Sequence, residues 1–237
     1  MQEPEAVVSG HPMLIAGELV ESSSGLSDPV VNPATGENFD YVPHGSREDL
    51  DRAVDAAAEA FKTWSVTPFE ERAKCLLKFA EEVEKIADEL AKAQTMEQGK
   101  PLANSMGEVR GLIGSCKRYA ETGEITDDIV SEDDDAQYKI VYAPRGVVGG
   151  IAPWNFPIGT VSGKILPSTI TGNTCVIKPS PYTPLATAML SEAASKAFPP
   201  GVVNSERRSS ASGFFRRLSE MPLRSSDRRR RAGTNDR

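Results

Sequence analysis

Histidine and cysteine are scarce in this chain: two His and three Cys occur in 237 residues. Cys75, Cys116 and Cys175 are far apart and form no CxxC pair, which excludes a disulfide framework and a zinc knuckle. With only His11 and His44 to add, no metal site is expected. Long apolar runs are missing too. None reaches the ~18–20 residues of a membrane span, so no membrane partner is expected. The opening "MQEPEAVVSGHPMLIAGELV" has neither the basic start nor the apolar core of a secretory leader, which makes a cytoplasmic, reduced setting the expectation. A GxGxxG fingerprint is absent, and "GVVGG" lacks its spacing, so phosphate binding by a glycine loop is unsupported.

Lysine disappears from the end of the chain. Residues 205–237 hold ten Arg, no Lys and four acids, a net +6, whereas residues 1–204 carry a net −13. The switch near Asn204 divides the chain into a body, 1–204, and a basic tail, 205–237. The tail is expected to be disordered, since it is too poor in apolar residues to offset its ordering entropy. It reads either as an arm that neutralises nucleic-acid or lipid phosphates or as translation in a shifted frame. The abruptness of the switch favours the second, and no nucleic-acid partner is expected.

What is present is a regular alternation of elements. Short strands and turns fill Met13 to Tyr41, with "VVNPATGE" punctuated by Asn-Pro and Thr-Gly. Ser46 caps a helix whose Leu50, Val54, Ala57, Ala58, Phe61 and Trp64 form one stripe. Thr67, Pro68 and Glu70 predict an N-cap, a proline at N1 and a capping-box acid. The helix that follows is expected to bury Ala73, Leu76, Leu77, Ala80, Val83, Ala87 and Leu90 and to stop before Gly99. A further helix runs from about Leu102 to Ala120. The acidic "SEDDDA" reads as a solvated turn and "YKIVYAP" as a half-exposed strand.

The segment "GGIAPWNFPIGTVSGKILPSTITGNTCVIKPSPYTPLA" carries the chemistry. "GVVGGI" and "NTCVIK" read as strands buried on both faces of a parallel sheet. Each is followed by a helical segment, giving a βαβα unit of a doubly wound α/β fold. Ligands of such sheets sit beyond the carboxyl ends of the strands, where this chain presents Trp154-Asn155 and Lys178-Pro179-Ser180. Lys178 offers an ammonium at the mouth of the sheet for a ribose hydroxyl or a phosphate. Asn155 offers an amide donor for an oxyanion, a role worth ~2.7–4 kcal/mol. Two βα units make less than a full sheet, so the outer edge of the last strand is expected to be unpaired. None of the three cysteines is expected to act as a nucleophile; Cys116, beside Gly114 and Ser115, is the one expected to be most exposed.

Taken in order, "PRGVVGGIAPWNFP", "GNTCVIKPSPYTPLA" and "FPPGVVN" resemble the aldehyde dehydrogenase superfamily. The resemblance extends back through "TMEQGKPL", "ERA", "DLDRAVDAAAEAF" and "VVNPATGE", covering roughly residues 12–204. It implies a subunit with a dinucleotide-binding domain, a catalytic domain and an oligomerisation β-arm, assembled as a homo-oligomer. It also implies oxidation of an aldehyde to an acid with NAD or NADP, by way of a cysteine thioester. Under the resemblance, Asn155 matches the oxyanion-hole asparagine. Ile151, Ala152, Pro153 and Trp154 match the lining of the cofactor cleft, and Lys178, with Pro179, Ser180 and Pro181 after it, matches the loop that contacts the adenosine ribose.

Two departures stand out. Pro181 occupies a position where the family often has an acid that binds the ribose hydroxyls, which leaves NAD against NADP open. After "PPGVVN" the family's Gly-Ser-Thr motif, catalytic glutamate segment and Gly-Gln-x-Cys nucleophile are all missing, so the fold is expected to be truncated. The chain is therefore read either as an NAD(P)-dependent oxidoreductase represented by its N-terminal part, or as a non-catalytic fragment that associates with intact subunits.

Overall fold

The computed structural model describes residues 4–6, 10–126, 128–132, 137–207 and 211–219. The chain enters as two short hairpins, β1 (Met13–Ile15) with β2 (Glu18–Val20) and β3 (Ser27–Val31) with β4 (Asn38–Pro43). Four helices follow: α1 (Arg47–Trp64), α2 (Phe69–Lys85), α3 (Ala87–Gln98) and α4 (Leu102–Thr122). The hairpin β5 (Asp128–Glu132) and β6 (Gln137–Ile140) forms its own sheet. Then β7 (Val147–Ile151), α5 (Pro157–Ile170), β8 (Thr174–Lys178), α6 (Leu185–Ala197), β9 (Val203–Ser205) and α7 (Ala211–Ser219) complete the described fold.

Local chemistry accounts for the start of α1 but not for every helix boundary. Ser46 closes a capping box with Asp49, and Leu50, Val54, Ala57 and Trp64 are buried along one stripe of α1. The cap expected at Thr67 does not form. α2 starts at Phe69 behind Pro68, and the Thr67 hydroxyl donates to the Thr63 carbonyl at 3.1 Å. The long helix expected from there to Gly99 breaks at Ile86, whose φ of −113° and ψ of 15° leave the helical region. Within α2 it is Phe79, not Leu77, that enters the core; Leu77 stays exposed.

The main sheet runs β2-β1-β9-β8-β7. β7, β8 and β9 are parallel, and the β1–β2 hairpin adds antiparallel to β9 through Leu14 opposite Ser205. The sheet is thus mixed rather than wholly parallel. The outer edge of β8 is not open, because β9 covers it, and β9 is covered in turn by β1. Asn204 fastens that last joint by accepting the Ala16 N–H at 3.0 Å. β8 is buried throughout, whereas β7 lies at the edge and is half-buried.

Alternation along β8 sorts the two cores. Cys175 and Ile177 face the larger one, built with α2, α4, α5 and α6, while Val176 faces α1 and α7. The boundary expected at Asn204 falls inside β9. Ser205, Glu206 and Arg207 are buried, and α7 seats Phe214 in the second core. Arg217 of α7 pairs with Asp51 and Asp55 of α1. Residues 208–210 and 220–237, including the arginine run 228–231, lie outside the described residues, as does most of the acidic turn, 133–136.

Candidate functional site

The parallel register of β7 and β8 sets Ile151 beside Lys178, and the Ala152 N–H donates to the Lys178 carbonyl at 3.0 Å. Residues 152–156 and 178–181 therefore leave the sheet side by side. Ala152 is buried, but Pro153, Trp154, Asn155 and Phe156 are exposed, with the Trp154 ring 55% open to solvent. The Asn155 carbonyl accepts from Gln98 Nε2 at 3.3 Å and Lys100 Nζ at 3.1 Å. Its carboxamide makes no hydrogen bond to a described residue.

Lys178 departs from expectation. It is 4% exposed, and its ammonium lies 3.4 Å from the Pro179 carbonyl. As the last residue of a strand flanked on both sides, it is covered rather than open at the mouth. Burial pushes its pKa down, opposed by the nearby Glu206 carboxylate. Pro179 and Ser180 are buried, and the Ser180 hydroxyl accepts the Tyr182 N–H at 3.2 Å. The Pro181 carbonyl accepts from Arg207 Nη2 at 2.9 Å.

A cleft of about 540 Å³ opens beyond these strand ends. Trp154, Pro181 and Thr183 line it from the two loops, Asp28 and Val30 from β3, Glu97 and Gln98 from the end of α3, and Arg207 from the segment after β9. Of these, the sequence points only to Trp154 and Pro181. Glu97 is wholly buried and accepts the Leu185 and Ala186 N–H groups at 2.7 and 3.0 Å, capping α6 from another helix. Burial pushes its carboxyl up to about 8. Arg207 pairs with Asp28 at 3.1 Å, and burial lowers its pKa. The only sequence signal for Glu97 and Gln98 is the "TMEQGKPL" segment, and Arg207 lies in the segment 205–237 expected to be disordered.

Burial works against the thiolate form of all three cysteines. Cys116, expected to be the most exposed, is fully buried because it faces the α2–α4 interior. Burial pushes Cys116 and Cys175 to about 12 and raises the half-buried Cys75 above its ordinary value.

The profile of the aldehyde dehydrogenase family matches residues 19–211. A malonate-semialdehyde dehydrogenase from Halalkalibacterium halodurans is 42% identical over 197 residues, 80% of this chain and 40% of that protein. A D-glyceraldehyde dehydrogenase (NADP(+)) from Picrophilus torridus is 39% identical over 80% of this chain and 39% of its own length. Among solved structures, a betaine aldehyde dehydrogenase from Staphylococcus aureus in complex with NAD+ superposes with a TM-score of 0.79 at 32% identity, covering 85% of this chain and 42% of that one. The chain spans about 40% of the length of the curated relatives it matches.

Proposed function

The chain belongs to the aldehyde dehydrogenase family, and from that premise we propose that its strand-end cleft is the coenzyme side of an NAD(P)-dependent aldehyde-oxidising site. The observation that carries this reading is the Ala152–Lys178 hydrogen bond, which brings the Trp154-Asn155 loop beside the Lys178–Pro181 loop at the carboxyl edge of parallel strands.

The residues fit a dinucleotide. Trp154 offers a flat, exposed ring, Asn155 an unpartnered carboxamide, and Lys178 a cation beneath the loop. Ile151, Ala152, Pro153 and Trp154 would line one side of the coenzyme and Pro181 the other, with Lys178, Pro179 and Ser180 covered beneath that loop. When bound, NAD(P) supplies a hydride acceptor. Asn155 supplies an N–H donor aimed at the oxygen on which charge develops, held on a loop stiffened by Pro153 and Pro157. No nucleophile comes from Cys75, Cys116 or Cys175, whose burial disfavours the thiolate. This chain by itself is read as binding coenzyme without turning over aldehyde, as a cytoplasmic protein. The β5–β6 hairpin, with Val130, Tyr138 and Ile140 exposed, would be its arm for homo-oligomers or intact subunits.

Titration with NAD and NADP tests the reading. Trp64 is 3% exposed, so quenching of fluorescence reports on Trp154. Saturable quenching with no reduced coenzyme formed from added aldehydes is the expected result. Absence of quenching up to millimolar coenzyme would overturn the binding claim; turnover abolished by Cys75→Ser would overturn the claim of no turnover.

A further inference from the structure

The coenzyme reading leaves one conspicuous turn unused, the link between α3 and α4. Gly99 caps α3 in the left-handed region at φ 79°, and Pro101 caps α4. A positive φ is easily adopted by glycine, and it sends Gln98 and Lys100 toward the same atom. Both donate to the Asn155 carbonyl, at 3.3 and 3.1 Å. The Lys100 ammonium also lies 4.0 Å from the centre of the Phe156 ring and pairs with Glu108 of α4.

Glu108 extends the connection. Its second oxygen accepts the Gly159 N–H at 3.1 Å, in the first turn of α5, and its first accepts from Gln94 Nε2 at 3.0 Å. No residue at the start of α5 caps it with its own side chain. Glu108 thus satisfies an orphan N–H from another helix and places negative charge at the positive end of the dipole. The Lys100 and Glu108 side chains are 9% and 10% exposed, so solvent screens their attraction weakly.

We infer that Gln98, Lys100 and Glu108 form a positioning clamp that sets the direction in which Asn155 presents its carboxamide. The clamp grips the Asn155 carbonyl, the Phe156 ring and the Gly159 N–H, at the exposed residue and along the turn that follows it, and leaves the Asn155 side chain untouched. Fixing that peptide plane fixes the bond on which the carboxamide is carried. The inference rests on the reading of Asn155 as the donor, and its test needs neither coenzyme nor activity.

Amide exchange and the Asn155 side-chain NMR signals are to be compared in the whole chain and in Lys100→Met, Lys100→Arg and Gln98→Ala. In Lys100→Met, exchange across residues 156–160 should quicken about tenfold while β8 and α2 stay within about twofold. The Asn155 carboxamide signals should shift and broaden. Lys100→Arg should restore both, since a guanidinium can donate to Asn155 and Glu108 together and stack on Phe156. Should Lys100→Met fail to fold, the half-exposed Gln98→Ala decides the matter, with an expected local change of about two- to threefold. Unchanged local exchange and unshifted Asn155 signals would overturn the inference. So would loss of protection spread evenly through β8 and α2, or failure of arginine to rescue. Failure of coenzyme to bind a parent chain whose clamp is intact would sink the coenzyme reading alone.

Discussion

Gly149 lies directly beneath Leu218: a Cβ built on Gly149 would stand 2.0 Å from the Leu218 Cδ1. Its neighbour Gly150 faces the other side of the sheet, where a Cβ would meet Lys164 Cβ at 3.0 Å and Ile177 Cδ1 at 2.8 Å. Two adjacent glycines thus let α7 and α5 approach the edge strand from opposite faces. The Gly149 contacts, the Leu218 tip and the Phe214 ring at 3.0 Å, are both on the last described helix, which can shift outward, whereas Gly150 meets Ile177 of the central strand and the root of Lys164 on α5. Gly149→Ala should therefore displace α7 and cost about 1 kcal/mol, and Gly150→Ala up to about 3 kcal/mol. Denaturant melts of the two variants measure the difference; equal costs would contradict this account.

Stability should fall as pH rises from about 4.5 to about 8. The Glu97 carboxyl is raised from 4.5 to about 8, first by burial, so in that window the folded chain binds a proton that the unfolded chain has lost. His11 adds to the fall. It sits 3.0 Å from Glu192 and 3.5 Å from Asp40, and its pKa is raised chiefly by the Glu192 hydrogen bond, with burial opposing. Its contribution is complete below 6.5 and disappears as pH passes its folded value. Asp49 acts in the opposite sense at low pH. Its pKa is lowered by the Ser46, Ser22 and Ser23 hydrogen bonds against burial, so its contribution is lost as acid passes its folded value. Glu97→Gln should flatten the decline in melting temperature between pH 5 and 8, and His11→Gln should flatten only its upper part.

Thiol labelling should discriminate sharply between the cysteines. At pH 8 the folded chain should react slowly at Cys75 and not at Cys116 or Cys175, whose thiols are pushed to about 12. All three should label once the chain is denatured. Rapid labelling of Cys116 in the folded chain would contradict its burial.

Asn155 and Lys178 should separate by what they alter. Asn155→Ala removes an exposed group with no side-chain partner among the described residues, so stability should change by less than about 0.5 kcal/mol. In a chain extended through the remaining length of its relatives, the same change should lower turnover about 10²–10³-fold with little effect on coenzyme binding. Lys178→Met should weaken coenzyme binding about tenfold or more, as expected for loss of a charge-assisted hydrogen bond. Equal effects of the two substitutions on coenzyme binding would remove the distinction between their roles.

Much of the plan is legible in the residues. Helical spacing and the Ser46 cap announce α1, glycine-punctuated apolar runs announce β7 and β8, and the order of motifs from "VVNPATGE" to "FPPGVVN" identifies the family. These are local signals: a stripe, a cap or a motif is complete within a few neighbouring residues. The missing Thr67 cap and the break at Ile86 are local departures, but the others depend on partners distant in sequence. Leu14 meets Ser205 across the sheet and closes an edge that the strand count alone left open. Glu97 caps a helix whose first N–H groups belong to Leu185 and Ala186. Lys178 and Cys116 are buried by elements that spacing does not reveal, and Arg207 is drawn out of the tail by Asp28 and the Pro181 carbonyl. Periodicity tells which face of an element is apolar, but not which distant segment will cover it. The sequence alone therefore determined the family, the β7-α5-β8-α6 unit and the two strand-end loops. Only the tertiary structure decided that Asn155 stays open while Lys178 is enclosed, because burial is a property of the packed neighbours and not of the residue.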